Sequence, residues 1–130
     1  MSGITAEMKA MIEKEQCFVV TADKSGQPSA APKGSLVVLD DQTLAYGEGI
    51  GGRTYRNMLE NPKVAVVVSD RPARKGYRFF GRADLKTEGP LFATFAAKFA
   101  KMGLNLKVSV EITVTEIYDL SVGNAGVKIE

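Results

Sequence analysis

A chain of 130 residues is long enough for one domain with a hydrophobic core, and its 45% apolar and 25% charged content is ordinary for a globular protein. Seventeen basic residues against fifteen acidic ones give a net charge of +2, which by itself argues neither for nor against nucleic acid. No basic run reaches five residues, and we expect no nucleic-acid partner. No long apolar stretch and no signal peptide are found, so we expect no membrane span and a cytoplasmic protein.

The absence of histidine excludes whole classes of site. Ser-His-Asp and Cys-His catalysis, histidine metal ligands and an imidazole acid or base all require that residue. Cys17 is the single cysteine, which excludes a disulfide framework and a cysteine-rich zinc site. It heads the apolar run Phe18-Val19-Val20, where a small buried residue is expected. If the protein does chemistry, we expect a bound cofactor to supply it.

A helix and two strands are predicted first. Thr5 can cap a helix whose apolar residues fall on one face, namely Ile4, Met8, Met11 and Ile12. Cys17 to Asp23 predicts a strand, and a turn follows. The segment from Pro28 to Ser35 has two prolines and several small residues, which predicts an edge strand or an irregular one. Its small side chains either admit a flat ligand close to the backbone or mark a bend.

The next segment combines a hairpin, a glycine turn and a short helix. Strands at residues 36–39 and 43–46 lead into Gly47-Glu48-Gly49-Ile50-Gly51-Gly52-Arg53-Thr54, and a helix is predicted from Tyr55 to Glu60. A glycine turn before a helix presents unpaired N–H groups and the positive end of the helix dipole. Arg53 adds a planar cation suited to phosphate oxygens, and Thr54 can act as N-cap or offer its hydroxyl to the same anion. The segment predicts a phosphate site.

Two well-known motifs partly match the same glycines. Gly47, Gly49 and Gly52 fit G-x-G-x-x-G, and residues 47–54 nearly fit the P-loop pattern G-x-x-x-x-G-K-[ST], with Arg53 in place of the lysine. Both motifs need a parallel βαβ unit, whereas the preceding hairpin is antiparallel and the helix is short for a crossover. We therefore set aside both a Rossmann fold and a nucleotide hydrolase. A nucleotide hydrolase would require magnesium-dependent turnover. The remaining alternative is that the glycines form only a flexible loop.

The second half of the chain predicts three strands and a helix. Val64 to Val68 is a continuous valine-rich run, typical of a strand buried on both faces, and Tyr77 to Lys86 alternates between apolar and charged residues. A helix opens at Gly89-Pro90 and ends at Met102-Gly103. The last strand, Val108 to Thr115, alternates cleanly and slips by one residue around Glu116-Ile117, as at a β-bulge. Residues 121–130 form a tail with little of their own chain to pack against.

About six antiparallel strands and three helices are thus predicted. Closing such a sheet removes its unpaired edges. We predict a mainly β protein, a small antiparallel β-barrel with flanking helices, in a single domain that spans residues 1–130.

Six segments, taken in chain order, include two strands, a phosphate turn, a helix and a further strand. They are Pro32-Lys33-Gly34-Ser35-Leu36, Val38-Leu39-Asp40-Asp41, Leu44-Ala45-Tyr46, Gly52-Arg53-Thr54 with Asn57, Asn61-Pro62-Lys63-Val64-Ala65-Val66, and Tyr77-Arg78-Phe79-Phe80-Gly81-Arg82-Ala83. In this succession, over residues 5–120, the chain resembles the pyridoxamine 5′-phosphate oxidase-like family, the FMN-binding split barrels.

The resemblance implies an antiparallel split β-barrel and a homodimer with two FMN molecules at its interface. It implies that Arg53 and Thr54 hold the phosphate, that Lys33 and Ser35 can reach the phosphate or the ribityl chain, and that strand backbone meets the flavin ring edge. The residues expected at the cofactor site are Pro32, Lys33, Gly34, Ser35, Tyr46, Gly47, Glu48, Gly52, Arg53, Thr54 and Asn57. No catalytic residue and no metal ligand is predicted.

The function implied is that of an FMN flavoprotein, in electron transfer or as a flavin-dependent oxidoreductase, with a small-molecule redox partner or electron donor. True pyridoxamine phosphate oxidases carry substrate-binding basic residues in a C-terminal portion that has no match here, so we do not expect that activity itself. Related barrels bind a deazaflavin or haem, and the lack of histidine argues against histidine-ligated haem. The alternative from another class is a non-catalytic module that binds a phosphorylated small molecule.

The size of the barrel also bears on assembly. About eight strands leave an interior filled by side chains or one small ligand, so a flavin ring must lie outside, where a second subunit would cover it. The tail has three apolar residues without an evident partner in its own chain, Val122, Val127 and Ile129. From this we predict that residues 121–130 reach across to the partner's flavin.

Overall fold

The computed structural model describes residues 3–130, which form one antiparallel sheet and three helices. The elements are α1 (Ala6–Lys14), β1 (Cys17–Ala22), β2 (Pro28–Pro32), β3 (Val37–Asp40), β4 (Thr43–Glu48), α2 (Arg53–Glu60), β5 (Lys63–Asp70), β6 (Lys75–Lys86), α3 (Pro90–Lys101), β7 (Val108–Asp119) and β8 (Val127–Lys128). The strands lie in the order β2-β1-β5-β6-β7-β4-β3, with β8 beside β7. The predicted mainly β, antiparallel architecture is confirmed.

The sheet surrounds one core, to which β1, β4, β5, β6 and β7 each contribute their inward residues. The fully buried side chains include Val19, Leu44, Tyr46, Val66, Phe79, Val110, Ile112 and Ile117. The hydrogen-bonded order begins at β2 and ends at β3, which do not pair with each other in the part of the chain described, and residues 33–36 connect these two edges. The predicted edge position of the segment after Pro28 is confirmed.

Helix α1 closes one side of this core. Its N-cap is Thr5, whose hydroxyl accepts a hydrogen bond from the Met8 backbone N–H at 3.2 Å, and the Met8 sulfur accepts from the Thr5 N–H at 3.5 Å. The methionine thus takes the position that a glutamate or glutamine occupies in an ordinary capping box. Met8, Met11 and Ile12 are buried, as the apolar periodicity predicts.

The two long strands carry the bulge that the sequence predicts. Phe80 of β6 pairs with Glu116 of β7, whereas the next residue, Gly81, pairs with Val114, so Thr115 is the extra residue. The alternation of β7 therefore changes phase at this point, beside the predicted position.

Helix α2 begins two residues earlier than predicted. Gly52 is its N-cap and makes no side-chain cap, so the expectation that Thr54 could be the N-cap is wrong. The preceding Gly51 has φ +75°, a left-handed conformation that glycine adopts readily. This turn directs the chain into the helix at Arg53, which places Thr54 within the first turn.

The tail has a partner in its own chain, contrary to the prediction. Its strand β8 pairs with Tyr118 and Asp119 of β7, and the Ile129 N–H donates to the Ile117 carbonyl at 2.8 Å. Glycines 123 and 126, both at positive φ, turn the chain back towards β7. The side chains of Val122, Val127 and Ile129 nevertheless stay exposed.

No helix within residues 3–130 is both long enough and apolar enough to span a membrane.

Candidate functional site

The N-terminus of α2 has unpaired donors and no acidic side chain. The backbone N–H groups of Arg53, Thr54 and Tyr55 have no acceptor among residues 3–130, as expected for the first residues of a helix without a side-chain cap. The first turn contains no aspartate or glutamate. The positive end of the helix dipole is therefore not balanced from within the helix.

The side chains around this helix end add cationic and hydroxyl groups. Arg53 is half exposed and its guanidinium lies 3.8 Å from the Asp23 carboxylate. Hydrogen bonds from the Ser25 hydroxyl and the Gln27 N–H lower the pKa of Asp23, so it is ionised. Thr54 is 5% exposed, and its hydroxyl has no hydrogen-bond partner within the described chain.

A second cation, Lys107, lies at the same turn and was not predicted. The distance between the Lys107 Nζ and the centre of the Tyr55 ring is 5.2 Å. A Cβ placed on Gly51 would lie 2.5 Å from the Lys107 Cδ, so the lysine stem crosses the glycine directly. Residue 107 is far from the glycine turn in sequence, and no local pattern connects the two.

A pocket of about 620 Å³ lies beside the loop between β2 and β3 and brings five predicted residues together. It is bounded on the other side by the C-terminal end of α3. Its lining residues are Pro32, Lys33, Gly34, Ser35, Val37, Gly47, Lys98, Phe99, Lys101 and Met102. A second pocket shares three of these residues and continues along the glycine turn past Ile50 and Leu104.

Two hydrogen-bonded pairs hold the wall of this pocket. The Lys33 ammonium lies 2.9 Å from a carboxylate oxygen of Glu48, a residue that is only 4% exposed. The Ser35 hydroxyl accepts a hydrogen bond from the Gly47 N–H at 3.0 Å. Because Glu48 compensates its charge, Lys33 holds the β2–β3 loop against β4 in this structure.

Two predicted site residues point into the core. Tyr46 is fully buried, its hydroxyl lies 3.7 Å from the Met58 sulfur, and burial raises the pKa of the phenol. The Asn57 side-chain amide donates to the Thr21 hydroxyl at 3.0 Å, and both residues are buried. These two side chains attach β4 and α2 to the barrel, and neither is among the lining residues of the two pockets.

Helix α3 covers the glycine turn, which the sequence analysis missed. A Cβ on Gly47 would lie 2.8 Å from both the Phe99 Cε1 and the Leu106 Cδ1, and a Cβ on Gly49 would lie 3.2 Å from the Phe99 Cε2. The phenylalanine residues on one face of α3 predicted that this helix packs against the rest of the protein, but they did not predict that it contacts the glycine turn. The two glycines, alternating at the end of a strand, provide the space for this ring.

Comparison with known proteins decides the family. The model of the family described as pyridoxamine 5′-phosphate oxidase matches residues 4–121. The chain belongs to this family. The uncharacterised protein MJ0282 of Methanocaldococcus jannaschii is 35% identical over 127 residues, which cover 92% of the chain and 83% of the relative.

Solved structures of family members have the same fold. HupZ of Group A Streptococcus is 35% identical with a TM-score of 0.85, and the match covers 95% of the chain and 98% of HupZ. A Lactobacillus delbrueckii protein, provisionally named a pyridoxamine 5′-phosphate oxidase, is 28% identical with a TM-score of 0.78, covering 91% and 95% of the two chains. The predicted split-barrel fold is confirmed.

More distant structures share the fold under different functional names. They are an FMN-binding protein of Syntrophomonas wolfei (20% identity, TM-score 0.72), an F420 reductase (18%, 0.64) and the haem storage protein HutZ of Vibrio cholerae (17%, 0.68). At these identities the likeness concerns the fold alone, and the cofactor has to be argued from the site itself.

Proposed function

We propose that this protein is an FMN-binding flavoprotein that works as a homodimer, in electron transfer or as an oxidoreductase. The observation that carries the proposal is the N-terminus of α2. The first turn of α2 contains free N–H groups, the Arg53 side chain and the unpartnered Thr54 hydroxyl, and it has no acidic residue. This combination of donors suits a phosphate dianion.

The remainder of the proposed cofactor site lies next to that helix end. The pocket beside Pro32 to Ser35 is mostly apolar and adjoins the glycine turn that leads into α2, which suits a flat ring joined to a phosphate by a short chain. Gly34 leaves open space above its backbone, because no atom lies within 4 Å of a Cβ placed there. FMN, once bound, supplies the redox chemistry, and the protein's residues bind and orient it.

Exposed apolar side chains around the pockets support a dimer. Ile50 at the tip of the glycine turn is 94% exposed, and Met102 and Leu104 beyond the end of α3 are more than half exposed. All three line the adjoining pockets. A cofactor and a second subunit would together cover this apolar rim, as closed two-fold assembly allows.

The visible spectrum of the purified protein tests the proposal. We expect a yellow protein, or a colourless one that becomes yellow with added FMN, and denaturation should release FMN and not FAD, since the site has one phosphate-binding helix end. A protein that neither carries nor takes up FMN contradicts the proposal. A deazaflavin, favoured only by the fold shared with F420 reductase, would show its own spectrum.

Reduction separates the flavoprotein from a non-catalytic binding module. A redox protein should accept electrons from a reduced nicotinamide or another donor and pass them to an acceptor. A module that only binds phosphorylated molecules would hold FMN without turnover. A cytoplasmic location stays a prediction, to be checked by fractionation of the cells that make the protein.

A further inference from the structure

We propose that Lys107 is a ligand of the cofactor's phosphate and supplies the net positive charge of the phosphate site at the N-terminus of α2. This proposal rests on the proposed function, because it concerns the phosphate of the same cofactor. Lys107 lies just before β7, and its backbone N–H donates to the Glu48 carbonyl at 2.8 Å. The loop that follows α3 is thereby fixed to the glycine turn.

The charges at the turn identify the role of Lys107. Arg53 lies 3.8 Å from Asp23, and Lys33 lies 2.9 Å from Glu48, so each of these cations has a carboxylate partner. Within residues 3–130, Lys107 forms no ion pair and instead lies over the Tyr55 ring. Without Lys107, the remaining cations, Arg53 and Lys33, would each be compensated by a carboxylate, and the site would have no excess positive charge.

The position of the Lys107 ammonium suits an anion bound at this helix end. Tyr55 belongs to the first turn of α2, where the helix dipole repels a cation and attracts an anion. The stem of Lys107 crosses Gly51, where any side chain would collide with it. The fold thus directs a lysine to a helix N-terminus that already carries Arg53 and no acidic residue.

A second observation is a free hydroxyl at this place. Thr54 is 5% exposed, and its hydroxyl has no hydrogen-bond partner in the described chain. The oxygen is not among the fully buried unpartnered atoms of residues 3–130, so it reaches solvent, where a ligand can contact it. A phosphate oxygen held between the Lys107 ammonium and the helix N–H groups would accept a hydrogen bond from this hydroxyl.

The test compares FMN with riboflavin, which lacks the phosphate, in titrations of the full-length protein. Lys107→Met removes the charge and keeps an apolar stem over Gly51, and Lys107→Arg keeps the charge. Lys9→Met is the matched control, because Lys9 is an exposed lysine of α1 that lines neither pocket of the proposed site. We expect Lys107→Met to weaken FMN binding by about ten-fold and to leave riboflavin binding unchanged, because one charge-assisted hydrogen bond is lost. Lys107→Arg and Lys9→Met should bind FMN within about two-fold of the original protein.

Inorganic phosphate provides a second part of the test that does not depend on a flavin. Phosphate should raise the melting temperature of the original protein more than chloride at equal ionic strength, and Lys107→Met should lose this difference.

If the original protein binds FMN but Lys107→Met is unaffected, or loses FMN and riboflavin equally, the role of Lys107 is refuted and the proposed function stands. If FMN fails to bind but the Lys107-dependent phosphate effect appears, the phosphate site stands and the flavin does not. If neither ligand acts, both proposals fail.

Discussion

At the scale of single residues, the proposed phosphate site depends on charges that the fold only partly compensates. The Arg53–Asp23 pair is long, at 3.8 Å, and half exposed on the arginine side, so it contributes little to stability. An arginine in such a pair can turn to a stronger acceptor at small cost. A phosphate dianion at the adjacent helix end is such an acceptor.

Replacing Arg53 with alanine should therefore weaken FMN binding and leave the fold intact. Loss of a hydrogen bond to a charged group is typically worth about 1.5–3 kcal/mol, which corresponds to a factor of roughly ten to a hundred in the dissociation constant. Riboflavin titrations should show no comparable change. Arg56→Ala on the same helix is the control, because Arg56 is exposed and follows the first residue of the helix, Arg53, by three residues. Equal losses for both flavins would show that Arg53 supports the fold and not the phosphate.

Cys17 gives a second prediction at this scale. The thiol is buried, and burial raises its pKa from 9.0 to about 11. Because the thiolate is the nucleophile, a thiol reagent at pH 8 should not modify the native protein and should modify the urea-unfolded protein rapidly. Rapid labelling under native conditions would show that the start of β1 opens. The result would also test the expectation, made from the sequence, that Cys17 is a structural residue.

The residues of the site differ in how far sequence alone could place them. Arg53 and Thr54 follow a glycine turn and precede a helix, so their location at a helix N-terminus is a local property. The burial of Tyr46 and Asn57 depends on which strands surround them, which no local pattern encodes. Lys107 is distant in the chain, and only the fold brings it to Gly51.

At the scale of elements, close contacts between strands and helices explain several glycines. A Cβ on Gly81 would lie 2.5 Å from the Thr113 carbonyl oxygen and 2.8 Å from the Ile112 Cγ2. The carbonyl belongs to the backbone of β7, which cannot move aside as the end of a flexible side chain can. Gly81 therefore allows β6 and β7 to approach at the bulge.

Replacing Gly81 with alanine should destabilise the protein by about 1–3 kcal/mol, the usual cost of adding atoms to a tightly packed place. Urea unfolding of the two proteins would measure the difference. Gly34→Ala serves as the control for stability, since no atom lies within 4 Å of a Cβ at that position, and it should change stability by less than about 0.5 kcal/mol. A Gly81 variant as stable as the original would mean that the strands adjust freely.

The strands and helices themselves were largely predictable, because each has a strong local pattern. The valine run of β5, the alternation of β7 and the capped face of α1 all specify their elements without reference to the rest of the chain. The two residues of β8 have no such pattern, and their pairing depends on glycines 123 and 126 turning the chain back. The contact between α3 and the glycine turn is likewise a tertiary property, because the Phe99 ring meets residues half the chain away.

At the scale of the whole molecule, the sheet has a filled interior, so the flavin that we propose would have to bind on its surface. The core side chains of β1, β4, β5, β6 and β7 fill the interior of the sheet. The two pockets lie between the β2–β3 loop, the glycine turn and α3, and their rim is apolar. The backbone of the tail pairs with its own β7, but its apolar side chains stay exposed, so a contact of the tail with the partner's flavin stays a prediction, and the rim around Ile50 is a further candidate for contact with a second subunit.

If FMN binds between two subunits, cofactor binding and dimerisation must be thermodynamically linked. A ligand that binds the dimer better than the monomer shifts the equilibrium towards the dimer, and dilution must in turn weaken ligand binding. We therefore expect sedimentation velocity to show more dimer when FMN is added at low protein concentration, and FMN affinity to rise with protein concentration. Ile50→Asp, which places a charge on the exposed rim, should weaken both dimerisation and FMN binding, whereas Leu59→Asp, at an exposed position on α2, should change neither. A monomer that binds FMN with an affinity independent of protein concentration would contradict an interfacial site.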